Sequence, residues 1–311
     1  MSVEYAVLDK FSRLDIRDHI YNWVEAFFRN HSHYTKFGDK VSGFRNILAS
    51  IIQGSAIGPA AYVVTASDMH PLTPGNSVHK YADDTYLVIP AANCQSCAAK
   101  IAHIEKWAKE NNLLLNYSKS VEIVFVPPRS HRAVEIPLPA VPSITRVDSI
   151  KALGVTISRK FAMTQHVDNL LAACAQTLFA LRTLRQHGLP TSALHTVFHA
   201  TVIAKLCHAS PAWWGFTSAA DRNRLEAFLR RSTQFGFRDV SAQTLSDICE
   251  QADRRLFDNI IRNDKHLLYQ LLPPQRSQHY SLRQRYHNYQ IPMRTSALND
   301  NNFITRMLFK T

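Results

Sequence analysis

Apolar residues recur at helical spacing near the start of the chain. Ile20, Trp23, Val24, Phe27 and Phe28 fall at i, i+3, i+4, i+7 and i+8, which predicts an amphipathic helix over 18–29 with one face for core packing. Asp15 or Asp18 is placed to cap its start. Phe37-Gly38-Asp39-Lys40-Val41 predicts a hairpin turn. Between 76 and 89 the pattern turns strand-like, with Thr85-Tyr86-Leu87-Val88-Ile89 β-branched and apolar until Pro90. Cys97, Ile101, Ile104 and Ala108 predict a second amphipathic helix within 93–111, leading to strands around 113–117 and 121–126. Pro127, Pro128, Pro137, Pro139 and Pro142 then leave room only for short or edge strands. Beyond Ser158 the periodicity is helical throughout, over roughly 164–187, 191–209, 219–237 and 245–272, punctuated by Pro190, Pro211 and Pro273-Pro274. The change of pattern predicts a boundary near residue 158. An α+β part, an antiparallel sheet with packed helices, precedes it; an all-helical region and a tail from 275 follow.

Chemistry enters at the turn between the two strand-like runs. Tyr81-Ala82-Asp83-Asp84 contains the only Asp-Asp pair in 311 residues. Adjacent carboxylates at a hairpin tip repel each other, so an ordinary turn gains little from them. Divalent ions reverse that balance, because Mg²⁺ is held by one or two carboxylates together with substrate phosphates. Upstream lies Gln53-Gly54-Ser55-Ala56-Ile57-Gly58-Pro59. Its glycines allow close backbone approach to a ligand, and a helix starting near Pro59 aims its amides at the same place. Downstream come Leu115-Asn116-Tyr117-Ser118-Lys119-Ser120 and Ile150-Lys151-Ala152-Leu153-Gly154-Val155.

This ordered set resembles the palm of reverse transcriptases, most closely the non-LTR (LINE-type) retrotransposon branch, over residues 10–157. The resemblance implies an RNA-directed DNA polymerase with two-metal nucleotidyl transfer. Gln53, Gly54 and Ser55 correspond to the segment against template and incoming nucleotide. Tyr81 to Asp84 correspond to the metal-binding motif, with Asp83 and Asp84 as ligands of two Mg²⁺ (or Mn²⁺) and Tyr81 beside them. Lys119 inherits a place near the leaving pyrophosphate, and Leu153 and Gly154 belong to a hairpin gripping the primer end. RNA template, DNA primer and dNTP are the implied partners. The implied domains are a palm over 1–157, a helical thumb-like region over 158–274 and a basic aromatic tail over 275–311.

One departure stands out. The family's first palm motif, an aspartate in an apolar strand, has no counterpart ahead of Gln53; Glu4 and Asp9 lie in the wrong surroundings. Two carboxylates in place of three remove a bridging metal ligand and the charge stabilisation that phosphoryl transfer requires. A truncated copy that does not extend a primer is expected. The alternative is a catalytically inactive nucleic-acid-binding remnant. A viral RNA-dependent polymerase shares the Asp-Asp hairpin, but the Gln-Gly-Ser-Ala-Ile-Gly-Pro segment and Ala82 speak against it.

Charge agrees with a polyanionic partner: the formal net charge is +12. Arg182, Arg185, Arg222, Arg224, Arg230, Arg231 and Arg238 form the expected phosphate-facing surface of the helical region. Arg276, Arg283, Arg285, Arg294, Arg306 and Lys310, interleaved with Tyr280, Tyr286, Tyr289 and Phe303, suit flexible single-strand contact in the tail. Trp213-Trp214 is expected to plug the core at a helix junction. Five cysteines, an odd and scattered set, argue against a disulfide framework. Cys94 and Cys97 have zinc-ligand spacing without a second pair, and His195 and His199 share a helix face without a companion carboxylate. No apolar run approaches the ~20 residues that span a bilayer, and the N-terminus lacks a secretory pattern. An intracellular chain, nuclear or cytoplasmic, is expected.

Overall fold

The computed structural model describes residues 3–29, 32–46, 55–126, 140–276 and 286–310. Gln53 and Gly54, the prolines at 127, 128, 137 and 139, and Tyr280, Arg283 and Arg285 lie outside the described residues. The chain divides into two compact units, residues 1–120 with 135–145 and residues 121–134 with 146–311.

In the first unit, α1 (Val3–Ser12), α2 (Asp18–Phe28) and α3 (Gly58–Thr65) bury Val7, Phe11, Val24, Phe28 and Ala61 together. The stripe on α2 faces inward only in part. Val24 and Phe28 are buried, whereas Trp23 is 57% and Ile20 43% exposed. Neither Asp15 nor Asp18 caps this helix. Arg17 occupies the cap in an extended conformation, and Asp18 sits in the first turn, where a carboxylate favours the helix dipole. Strand β1 (Ser32–His33) pairs with β4 (Arg45–Asn46), and β2 (Lys36–Phe37) pairs with β3 (Lys40–Val41) around Gly38, whose φ is +58°. The main hairpin is β5 (Ser77–Tyr81) with β6 (Asp84–Val88). A 3₁₀ turn over Ala91–Ser96 leads into α4 (Cys97–Glu110). Trp107 and Ala108 of α4 then close a second small core with Ala66 and Met69.

Two expected strands are reduced or missing. Residues 113–117 form none, because Asn112 turns the chain out of α4 at φ +54° and Asn116 captures the amides that follow. Its carbonyl accepts from Ser120 N and its side-chain oxygen from Lys119 N. Such local bonding competes with a ladder. The strand expected over 121–126 shortens to β7 (Val121–Glu122). Every sheet among the described residues has two strands, so the single antiparallel sheet expected from the sequence is replaced by separate ladders.

The second unit includes β7; β8 (Thr145–Arg146) falls at the division between the units in sequence, and the hairpin β9 (Ser149–Ala152) with β10 (Val155–Ser158) follows. Helices α5 (Thr164–Gln186), α6 (Thr191–Phe198), α7 (Ala204–Cys207), α8 (Ser210–Trp213), α9 (Ala219–Gln234) and α10 (Leu245–Arg262) follow. Their core includes Val167, Leu181, Phe198, Leu206, Trp213, Leu225 and Leu245. Trp213 and Trp214 are fully or nearly fully buried, as the sequence suggested. The helix expected over 191–209 is interrupted by a π-helical turn, His199–Ile203, and ends at Cys207. The one expected over 245–272 stops at Arg262, because Asn263 leaves helical geometry and takes the amides of Lys265 and His266. Side-chain caps start the later helices: Ser218 accepts from Asp221 N, and Thr244 with Asp247 forms a reciprocal capping box.

The tail is not an extended segment over its last part. α11 (Ala297–Asn301) and α12 (Phe303–Phe309) bury Met307 and Leu308 against Phe257 and Tyr289. Arg306 pairs with the buried Asp253 at 2.5 Å. Among the described residues no helix is long and apolar enough to cross a membrane.

His166 of α5 is 3% exposed, and burial, with His208 and Lys151 adding to it, pushes its pKa down to about 4. The imidazole is neutral when folded and protonates near 6.5 when unfolded. Its contribution is therefore complete above pH 6.5 and is lost as pH falls towards 4, a change of about 3 kcal/mol. Urea midpoints should drop over that window in the parent chain and drop much less in His166→Gln; parallel pH profiles would contradict the assignment.

Candidate active site

The hairpin is positioned through its two faces. Cross-strand pairing sets Val78 opposite Leu87 and Lys80 opposite Thr85, while Tyr81 lies opposite Asp84. Side chains alternate along a strand, and Val78 packs with Ala66, Met69 and Trp107. The Val78–Lys80 face therefore turns towards α3 and α4, and the Tyr81–Asp84 face turns away. Asn76, 7% exposed, fixes the start of β5 by donating to Ser96 Oγ at 2.8 Å and accepting from Asn93 at 3.0 Å.

Ala82 and Asp83 form the two-residue loop. Ala82 takes φ +49°, a left-handed value that costs a non-glycine residue about 1–2 kcal/mol. Strain of this size persists where the surroundings over-determine the backbone. Tyr81, Ala82, Asp83 and Asp84 are all exposed. Among the described residues neither carboxylate pairs with a basic side chain, which distinguishes them from Asp68 of the same unit.

Asp68 belongs to a dense polar cluster that sequence reading missed. Three amines converge on the carbonyls following α3. Lys10 Nζ donates to Thr65 O at 2.5 Å, to Asp68 Oδ1 at 2.9 Å and to Asn111 Oδ1 at 2.9 Å. Lys80 Nζ donates to Ala66 O and, at 3.1 Å, to Met69 O. Lys100 Nζ, from α4, donates to His70 O and lies 2.9 Å from His103 Nδ1. Trp107 Nε1 donates to Asp68 at 2.8 Å. Burial alone would raise the Asp68 carboxyl, but the bonds from Lys10 and Trp107 hold it below its usual value. Burial pushes the Lys80 and Lys100 ammonium groups down. No spacing rule connects positions 10, 80 and 100, so only the fold brings them together.

The remaining expected residues are distributed as follows. Ser55 lies in the turn before α3, its carbonyl accepting from Gly58 N at 3.1 Å. Lys119 is exposed on the Asn116 turn and makes no ion pair with Asp83 or Asp84. Leu153 and Gly154 form the turn of the β9–β10 hairpin, within the second unit. Tyr62 of α3 and Val78 of β5 pack on the same small core, and the Tyr62 phenol pKa is raised by burial first and then by the charge of Asp83.

Two adjacent carboxylates are hard oxygen donors and fit a Mg²⁺-class ion, provided further oxygens complete its shell. Among the described residues no group of three His, Cys, Asp or Glu side chains is arranged to hold a metal.

The arginines expected as a phosphate-facing surface are largely engaged in the second unit itself. Arg222 lies over Trp214 at 4.9 Å and donates to Thr217 Oγ1 and Trp214 O. Arg224 pairs with Asp168 and Asp221, and Arg238 donates to Gln243 O. Arg182 stacks on Phe235 and Arg185 on Phe237. Arg230 and Arg231 are exposed. In the tail, Arg294 covers Phe309 and Tyr286 donates to Asp258.

Residues 6–157 match the family described as reverse transcriptase (RNA-dependent DNA polymerase). Three curated relatives come from Drosophila melanogaster. The RNA-directed DNA polymerase from mobile element jockey is 26% identical over 167 residues, covering 50% of this chain and 18% of the relative. The probable RNA-directed DNA polymerase from transposon X-element is 22% identical over 291 residues, covering 81% of the chain and 30% of the relative. That from transposon BS is 23% identical over 286 residues, with 81% and 31% covered. The chain thus spans less than a third of the length of these relatives. No solved structure matches it.

Tyr62 reports on the hairpin. Asp83→Asn removes the neighbouring negative charge and should lower the Tyr62 pKa towards its ordinary value, with the part due to burial remaining. Ultraviolet phenolate titration against a Tyr62→Phe reference measures this. An equal or larger drop in Asp84→Asn would contradict the placement of Asp83 beside α3.

Proposed function

Because residues 6–157 belong to the reverse transcriptase family, in its non-LTR retrotransposon branch, we propose that this chain carries part of the active centre of an RNA-directed DNA polymerase. One observation carries the reading. Asp83 and Asp84 stand exposed at the tip of a strained antiparallel hairpin, without basic partners among the described residues. A structural turn has no use for that uncompensated charge; a metal-dependent phosphoryl transfer does.

In this reading residues 1–157 serve as palm, 158–274 as a thumb-like region and 275–311 as an accessory tail. Asp83 and Asp84 hold divalent ions, Mg²⁺ or Mn²⁺. When bound, these ions lower the pKa of the primer 3′-hydroxyl and neutralise the triphosphate. Tyr81 flanks the carboxylates on the outward face of the hairpin. Gln53, Gly54 and Ser55 orient template and nucleotide, and Lys119 is assigned to the leaving pyrophosphate. Leu153 and Gly154 are assigned to the primer end. The net charge of +12 suits RNA and DNA partners. The family match supports a polymerase segment over a remnant used only for nucleic-acid binding.

With two carboxylates at the tip and no third among the described neighbours, metal affinity should depend on substrate oxygens. Electron paramagnetic resonance of Mn²⁺ tests this with the full chain, an RNA template, a recessed DNA primer and the matching dNTP. Bound Mn²⁺ should appear with all components and fall at least roughly tenfold in the Asp83→Asn, Asp84→Asn double variant, in line with the loss of metal ligands. Duplex binding itself should survive the double substitution and weaken with salt, each neutralised phosphate contributing roughly −0.9 to the log–log slope. Unchanged Mn²⁺ binding in the double variant would overturn the proposal.

A further inference from the structure

The turn joining β9 to β10 is held from outside. Leu153 and Gly154 both take positive φ, +46° and +90°, as a two-residue primed turn requires. Glycine meets that demand at no steric cost, whereas Leu153 does not. His208, the residue after α7, places Nε2 3.0 Å from Leu153 O. The same ring closes over Gly154, where a Cβ would lie 2.9 Å from that nitrogen.

His208 is fixed in turn. Its carbonyl accepts from Trp213 Nε1 at 2.9 Å, and Ala209 turns the chain at φ +50° into α8. The Trp213 ring meets His166 edge-on, with centroids 4.9 Å apart. His166 Nδ1 accepts from Thr156 N at 3.2 Å, and Asn169 donates to Thr156 Oγ1 at 3.2 Å. Because Nδ1 accepts, the imidazole proton sits on Nε2, which has no hydrogen-bond acceptor. A closed circuit therefore runs from Leu153 through His208, Trp213 and His166 back to Thr156, entirely within the second unit.

We propose that His208 and His166 are positioning residues for this hairpin: His208 fixes the Leu153-Gly154 turn and His166 fixes Thr156, so that Leu153 is presented in one orientation to the terminal nucleotide of the primer. Leu153 is 47% exposed at the tip, although its backbone is left-handed and its carbonyl is held by His208. The two histidines act through backbone groups and need not touch nucleic acid. The inference rests on the polymerase reading for the identity of what Leu153 meets, but not for the clamp itself.

The test uses the full chain and three variants: His208→Leu removes the donor, His208→Gln retains one of similar reach, and His166→Leu removes the acceptor at Thr156. Amide resonances of Gly154 and Thr156 report the clamp. Affinity for an RNA template carrying a recessed DNA primer, relative to a blunt duplex of equal length, reports its use. His208→Leu should shift or split the Gly154 resonance and reduce the recessed-end preference roughly threefold to tenfold, the scale of one lost hydrogen bond. His208→Gln should restore both. His166→Leu should displace Thr156 and reduce the preference similarly. Parent-like amides and preference in His208→Leu, or a glutamine variant that behaves like leucine, would overturn the proposal. If the parent chain shows no recessed-end preference, the polymerase reading fails, and the amide resonances alone decide whether the histidines position the turn.

Discussion

The carbonyls left at the end of α3 are the constraint on which the first unit depends. A helix terminates with unpaired carbonyl groups, and here the chain must still turn back through 66–76 to begin the aspartate hairpin. Apolar packing at this point is slight, since the local core comprises only Ala66, Met69, Trp107 and Ala108 with partly buried neighbours. Three amines from three separate elements do the holding instead: Lys10 from α1, Lys80 from β5 and Lys100 from α4. A hydrogen bond to a charged group is worth about 1.5–3 kcal/mol, so the set rivals a core of two alanines, Met69 and Trp107. Its asymmetry is also informative. Among the described residues Asp68 is the only carboxylate bonded to the set, while Asp83 and Asp84, at the hairpin tip, have no basic partner there.

The second unit treats positive charge in the opposite way. Its arginines are drawn into the fold, over Trp214, Phe235 and Phe237 and onto Asp168, Asp221 and Asp253. Planar guanidinium groups stack and bond at once, which lets a helical unit rich in arginine close its seams by laying charge over aromatic rings. Gly215 shows how tight one seam is: a Cβ there would lie 2.2 Å from Asn301 O. Charge left for a phosphate backbone is therefore narrower than composition suggests and is better sought at Arg230 and Arg231 than along the whole of α9.

Sequence patterns carried the parts of the fold that depend on neighbours in sequence. The Asp83-Asp84 hairpin, the turn at Gly38, the helical character beyond 158 and the buried Trp213-Trp214 pair were all legible from period, turn residues and proline punctuation. Legibility failed where local side-chain bonding or distant groups compete with the pattern. Asn116 and Asn263 ended expected elements by capturing nearby amides, and Trp23 was left exposed because α2 packs through Val24 and Phe28. The tail read as polar and flexible because Arg306 and Tyr286 look solvated until Asp253 and Asp258 are brought beside them. The lysine cluster lay wholly out of reach, its members separated by up to ninety positions in the chain. Gln53 and Gly54 lie outside the described residues, so the candidate site is described from its aspartate side.

The account stands on the claim that amine tethers, more than apolar contact, set the aspartate hairpin. Amide hydrogen exchange across 66–88 in Lys80→Met tests it most directly, since methionine keeps the apolar stem and removes the ammonium. Protection over 66–70 and over the hairpin amides should fall together, by roughly tenfold or more for bonds of this strength, while α5 to α10 keep theirs. Unchanged exchange over 66–88, or a loss spread evenly through the chain, would contradict it.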